Sequence, residues 1–600
     1  MAFVRLLLLC CVILSAPGAA AARLEIPLRI PLEPLRQALD AQLATSPATP
    51  HVLYRQGRCR YLKLGTPKLE AVDGRLRFVS PGSAALGVQL AGNCQNAAAW
   101  QGSMQFTLAP RLDDAGRLRL RIVDTRLTDA RGGRALPFIW DLSKHHVHPR
   151  LQQFSYDIGA SSSALLAIMR GAAPPEHSAA LELALQQVQV LEPRVEAAAI
   201  IVPIAIELPD AWLTAAPSAN VSAGASAPLT EAELEALENA LQPWDAFLVY
   251  SIKQLALDSE NEALRKRLFT LLLESRYRLS EILSGDAPAA GDPLRELFVD
   301  AWNELRTILT GAQRDGVLDA SLLRYAAFID AGDALLALDR AAPGLGMRPS
   351  VDGLRQLARS LRPGVTDDPL AYDWAVDPEL GRLFDVEEIT TTSSLGFLIK
   401  ASAAAPALDR WVPRREELHA YEARIGELLQ KESAIELSRA NLAPAHARIY
   451  RHMVPTTALI ESCWRQYVVR AGKVSYLRSG SGSVGIMQIN QIVWRGFYAV
   501  ERLRWDTAYN ARAGAQILMR YLKDYAIPYA ARSSDANDIP RAAYAVYNAG
   551  PRAVGRFNKN PPHPREARVD GKLWTLYQGI ASGGQADLKT CSVDPVAASQ

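Results

Sequence analysis

Charge excess is missing from this 600-residue chain: 66 Lys and Arg stand against 63 Asp and Glu, a formal +3 at pH 7. That balance gives no electrostatic case for a nucleic-acid binder, which would show a concentrated basic face. Long apolar runs are also missing beyond the first residues, so no bilayer-spanning body is expected and the mature chain should be soluble. Cysteine is scarce, six in all, and two of these, Cys10 and Cys11, lie in the opening apolar run. A more local absence matters most. Between Glu461 and Glu501 there is no Asp or Glu, although five Lys and Arg fall in that interval.

The opening itself is informative. Arg5 precedes LLLLCCVIL, and SAPGAAAA follows with A-x-A sites near Ala20 to Ala22. These are the n-, h- and c-regions of a secretory signal peptide, expected over residues 1–22 and cleaved on export to the periplasm, with a retained anchor as the alternative. Lipid attachment at Cys10 or Cys11 lacks the small preceding residue it needs. Cleavage leaves Cys59, Cys94, Cys463 and Cys591, which allow three pairings. Proximity favours Cys59–Cys94 and Cys463–Cys591 as disulfides of an oxidising compartment.

An α+β multidomain architecture is expected. Residues 23–212 form a β-rich domain. Asp73-Gly74 sits between two alternating segments as a hairpin turn, and Met104, Phe106 and Leu108 alternate, as do Leu118, Leu120 and Ile122. AAAIIVPIAIEL supplies a further strand, with Pro203 expected at an edge or bulge. Amphipathic helices are expected at Leu32 to Leu43 and His177 to Val190. The opening IPLRIPLEPLRQAL and the long strands resemble, in patterning alone, tubular lipid-binding periplasmic domains, which implies an envelope protein or lipid as partner; a β-rich spacer or docking domain is the favoured alternative. A linker poor in charge covers 213–229. From Thr230-x-x-Glu233, a capping box, 230–440 is read as α-helical. The cluster KHHVH (His145, His146, His148) has only Asp141 nearby and no Cys, so no metal site is expected there.

Residues 441–600 are the most specific. Four blocks follow in order: ALIES at 458–462, SGSGSVGIMQIN at 479–490, DTAYNARAGAQIL at 506–518 and AYAVYNAGPRAV at 543–554. Together they resemble the soluble lytic murein transglycosylase family, with its lysozyme-like, α-helical catalytic domain. The resemblance implies peptidoglycan glycan strands as substrate, no cofactor, and cleavage of the β-1,4 bond after N-acetylmuramic acid with formation of a 1,6-anhydro product. It also implies that Glu461 is the single catalytic acid/base. Ile460, Cys463 and Trp464 would supply the poor solvation that keeps a carboxyl protonated. Taken alone, Glu461 would read as a solvated partner of Arg465 at i+4.

The remaining roles come by the same resemblance. Ser479, Met487, Gln488, Tyr547 and Asn548 are expected to contact substrate, with Tyr547 reaching the catalytic carboxyl; core packing is the alternative for Met487. Asn510, Ala513 and Gly514 are read as structural. Glycosidases normally use two carboxylates. The acid-free interval therefore favours transglycosylation over hydrolysis by a goose-type-lysozyme-like enzyme, unless Glu501 or Asp506 folds back. A non-catalytic peptidoglycan-binding scaffold is the third alternative. The chain departs from the family pattern at CWRQY after Glu-Ser and at VVRAGKVSYLR, an insertion expected to form a hairpin at the cleft edge.

Overall fold

The structure, a computed structural model, describes residues 21–43, 52–90, 93–158, 166–167, 169–171, 174–213, 231–283, 293–314, 322–345, 350–362, 366–371, 375–389, 408–584 and 588. The proposed signal peptide, the 213–229 linker and Cys591 lie outside these residues, save Leu213 and the end of the leader at Ala21 and Ala22. The chain packs as two compact units, Met1–Ser222 with Leu309–Thr366, and Ala223–Ile308 with Asp367–Gln600. Among the described residues no helix is long and apolar enough to cross a membrane.

The first unit is built on two antiparallel sheets. Strands Arg75–Leu90 and Asn93–Leu112 pair with each other, and Asn93–Leu112 pairs on its other side with Arg117–Asp129. Leu76, Phe78, Met104, Phe106 and Leu108 are fully buried, which is the covered face their alternation anticipates. Asp73 and Gly74 take φ of 50° and 70°, the left-handed pair that a tight hairpin turn requires. Cys59 and Cys94 form a disulfide. The three imidazoles of the KHHVH cluster go to separate neighbours: His145 to Asp141 O, His146 onto the Tyr54 ring and His148 to Thr125.

Two expectations need correction here. Ala199–Pro209 is an interior strand, paired along its length with Ala21–Pro31 and on its other side with Arg194–Glu196 and Gln189–Val190. Pro203, which has no N–H to donate, falls in the gap between those two short partners. The helix expected to run to Val190 spans only Ser178–Gln186, because Gln189 and Val190 pair with Ala205 and Ile204. A cross-strand partner has overridden a helical period. The Leu32–Leu43 helix forms as expected.

The second unit is helical and includes Glu231–Leu257 and Glu262–Leu283 as well as the C-terminal helices. Arg276 is fully buried and holds these pieces together. It binds Asp245 through Nε (2.7 Å) and Nη2 (3.0 Å), and its Nη1 donates to Arg495 O at 2.7 Å. Burial works against the Asp245 carboxylate, but the Arg276 and Arg495 guanidiniums outweigh it and hold its pKa below the ordinary range. Between Leu418–Arg439 and Thr507–Tyr521 the tie is again ionic, Arg512 to Glu432 and Glu436, each at 2.8 Å. At Gly514 a Cβ would stand 2.4 Å from Met487 Cγ, so the helix crossing demands the glycine.

Candidate active site

The helix Pro444–Ser462 ends one residue after Glu461. Cys463 (φ 53°) and Trp464 (φ 57°) turn left-handed, and the Cys463 and Trp464 N–H groups donate back to Leu459 O and Ala458 O. This reversal decides two matters. Arg465 leaves the helix, and its Nε donates to Ser462 O at 3.1 Å instead of pairing with Glu461. Trp464 is not among the residues lining the cavity at Glu461, and its indole Nε1 donates to Pro455 O at 2.9 Å. Cys463 is disulfide-bonded, while its expected partner, Cys591, lies outside the described residues.

Ser462 fastens the helix end to the next block. Its Oγ donates to Ile486 O at 2.6 Å. The Gly485–Gln488 turn is held from three sides: Gln466 Oε1 accepts from Ile486 N (2.7 Å), Asn510 Oδ1 accepts from Met487 N (2.9 Å), and Met487 O accepts from the Tyr547 hydroxyl (2.7 Å). Gly485 has φ 78°, and a Cβ there would sit 2.2 Å from Asn510 Nδ2, so no other residue fits. The insertion forms a hairpin, Tyr467–Arg470 against Lys473–Tyr476, turning at Ala471-Gly472. None of its described residues lines the cavity next to Glu461.

That cavity measures about 490 Å³ and is lined by Glu461, Ser479, Gln488, Tyr547 and Asn548, with Trp494 and Ile517 among its apolar walls. Four of the five expected substrate contacts thus gather around the carboxyl. Met487 is not among the lining residues: its side chain is fully buried against Gly514. Ser479 Oγ accepts from Ser483 N at 3.0 Å and so closes its own turn at the cavity wall. Tyr547 lines the cavity, but its hydroxyl is spent on Met487 O.

The phenol that reaches Glu461 is Tyr544, three residues earlier, whose hydroxyl donates to Oε1 at 2.8 Å. Tyr544 and Asn548 are i and i+4 on helix Asp538–Ala549, one face by helical geometry. Behind Asn548 stands Arg556, whose Nη1 donates to Asn548 Oδ1 at 2.9 Å and whose Nη2 binds buried Asp570 at 2.7 Å. Burial pushes the Glu461 carboxyl up to about 7, against the opposing pull of Tyr544, Asn548 and the Arg556 charge. A carboxyl titrating near neutrality, with donors ready for its anion, can give up a proton and take one back.

Glu501 and Asp506 do not fold into the cavity. Glu501 pairs with Arg504 at 2.7 Å, and Asp506 caps the Thr507–Tyr521 helix while pairing with Arg502. Two other carboxylates do line it, Glu281 on the Glu262–Leu283 helix and Glu566 on the Pro564–Ala581 helix.

No curated protein and no solved structure matches the chain. One family model does, the Transglycosylase SLT domain, over residues 443–568, which hold Glu461 and all four sequence blocks. The C-terminal quarter of this chain is therefore an SLT-type, lysozyme-like transglycosylase domain.

Proposed function

We propose that this SLT domain, whose family acts on peptidoglycan, cleaves the β-1,4 bond between N-acetylmuramic acid and N-acetylglucosamine by transglycosylation, with Glu461 as single acid/base. The observation that carries the reading is the Glu461 carboxyl, set in the cleft and raised to about 7 by burial. In its protonated form it donates to the glycosidic oxygen as the bond to the muramic acid anomeric carbon breaks. The 6-hydroxyl of the same muramic acid then attacks that carbon, and its proton passes to the Glu461 carboxylate. A 1,6-anhydro ring forms, no water is consumed, and the acid is restored. Tyr544 and Asn548 support the carboxylate that exists between the two transfers, where a hydrogen bond to a charged group is worth most.

Ser479, Gln488, Tyr547 and Asn548 line the substrate path in this reading. The disulfide Cys59–Cys94 and the substrate itself both fit a periplasmic location. Hydrolysis is the second reading, favoured by one observation: Glu281 and Glu566 line the same cavity, and a second carboxylate could activate water. The mass of products released from peptidoglycan sacculi separates the two. Anhydro-ended muropeptides, lighter by one water, are expected; reducing ends throughout would establish hydrolysis instead.

A further inference from the structure

Two long strands of the first unit run on past their neighbours. The outer edge of Arg75–Leu90 pairs with Arg60–Leu64 only as far as Leu86, which lies opposite Arg60. On the other side, Asn93–Leu112 pairs with Arg117–Asp129 only from Gly102 onward. Among the described residues, Gly87–Leu90 and Asn93–Asn96 therefore have only each other as strand partners. A two-stranded ribbon without further support is marginal in water. This one is stapled. Cys94, opposite Gln89, is bonded to Cys59 in the turn just before Arg60–Leu64. Arg60 Nε also donates to Gly87 O at 3.2 Å.

The staple holds apolar side chains that stay largely in water. Leu86, Val88 and Leu90 are 38%, 51% and 58% exposed. Val88 and Leu90 share one face by alternation. The cations beside the staple are equally unused. Arg55 and Arg58, on either side of the Gln56-Gly57 pair, are exposed, and among the described residues neither has an ion-pair or side-chain hydrogen-bond partner. No Asp or Glu occurs between Asp40 and Glu70 or between Asp73 and Asp113, the two intervals that supply the turn and the arm.

Exposed apolar groups next to uncompensated cations suit a surface that is anionic outside and apolar beneath. A soluble polyanion would pair with Arg55 and Arg58 and leave Val88 and Leu90 in water. A neutral apolar partner would cover the cations without pairing them, at the cost of their hydration. An anionic bilayer takes both, the guanidiniums at its phosphates and the aliphatic groups at the headgroup boundary. We propose that the stapled arm, through Val88 and Leu90 with Arg55 and Arg58, docks the N-terminal unit on the surface of an anionic phospholipid bilayer. The inference is independent of the reading of the Glu461 cleft.

The test is hydrogen exchange of the full chain with vesicles of phosphatidylglycerol in phosphatidylcholine, and with phosphatidylcholine alone. Amides of Gly87–Leu90 and Asn93–Asn96 should exchange more slowly with the anionic vesicles only, and the protection should weaken with added salt. Reading the arm amides separates its docking from that of the apolar run at residues 6–14, which meets both kinds of vesicle alike. In Arg55→Gln/Arg58→Gln the lipid concentration giving half protection should rise about tenfold or more, the scale of two cations at a charged surface. Val88→Thr/Leu90→Gln should raise it by about the same factor. All four side chains are exposed, so the unit should keep its fold. Arm exchange that anionic vesicles leave unchanged, or half protection unmoved in either double variant, overturns the proposal. Protection that grows with protein concentration and ignores vesicles would make the arm a contact between copies, and overturns it too.

Discussion

The Tyr544 hydroxyl stands 2.8 Å from Glu461 Oε1 and donates to it, although the two residues are 83 positions apart. The bond favours the carboxylate, so it works against the burial that keeps Glu461 protonated. Tyr544→Phe should therefore raise the Glu461 pKa further above 7. A hydrogen bond to a charged group is worth about 1.5–3 kcal/mol, or about one pH unit and more. The alkaline limb of kcat/KM should move up by about one unit, with a fall in kcat because the intermediate carboxylate loses a donor. A pH–rate profile checks this, and an unmoved limb would remove Tyr544 from the account.

Glu461 also carries a stability signature. Its folded pKa, about 7, lies above the ordinary 4.5. Between those values the folded protein keeps a proton that the unfolded chain gives up. Stability therefore falls as pH rises through that window and stays low above it. Glu461→Gln has no such titration. It should be more stable than wild type at pH 8 by about 1–3 kcal/mol and equal to it near pH 4. Denaturant titrations at the two pH values measure the difference.

Arg556 and Asp570 act on Glu461 from behind Asn548. Removing one of the pair would leave the other buried and uncompensated, at a cost of about 3–5 kcal/mol, so the informative variant removes both. Arg556→Met/Asp570→Leu should fold, lose the positive charge that favours the carboxylate, and move the alkaline limb to higher pH. A drop in rate with no movement of the limb would make the pair a packing feature only.

The blocks around Glu461 were legible because they are local and ordered, and the family match covers the same residues. Tyr544 was also within reach, since its i, i+4 relation to Asn548 marks one helix face. The Y-N-A-G resemblance instead pointed to Tyr547, whose hydroxyl is engaged by Met487 O. The alternative reading of Glu461 as a partner of Arg465 assumed a helix continuing past Ser462, which the left-handed Cys463 ends. Ser280 with Asn490, 210 positions apart, could not be read at all: no period or motif links residues brought together only by packing. The same holds for Pro203, whose place inside a sheet depends on where two short strands stop.

Arg276 makes the dependence on that packing measurable. Arg276→Met removes one of two guanidiniums from buried Asp245 and two donors from the chain at Val493 and Arg495. Loss of one partner of a buried pair costs about 3–5 kcal/mol, with Arg495 retaining part of it. A loss of about 2–4 kcal/mol is expected in denaturant unfolding of the C-terminal unit, together with a raised KM because the Tyr277–Glu281 wall is no longer held. A loss below 1 kcal/mol with unchanged KM would show that the wall stands without it.

The central claim is that one carboxyl, Glu461, does the chemistry. The direct measurement is digestion of peptidoglycan sacculi by wild type and by Glu461→Gln, with mass spectrometry of the released muropeptides. Anhydro-ended products from the wild type, with release by the variant lowered by at least about a hundredfold, are the predicted result. Equal release of the same products by Glu461→Gln would contradict the account.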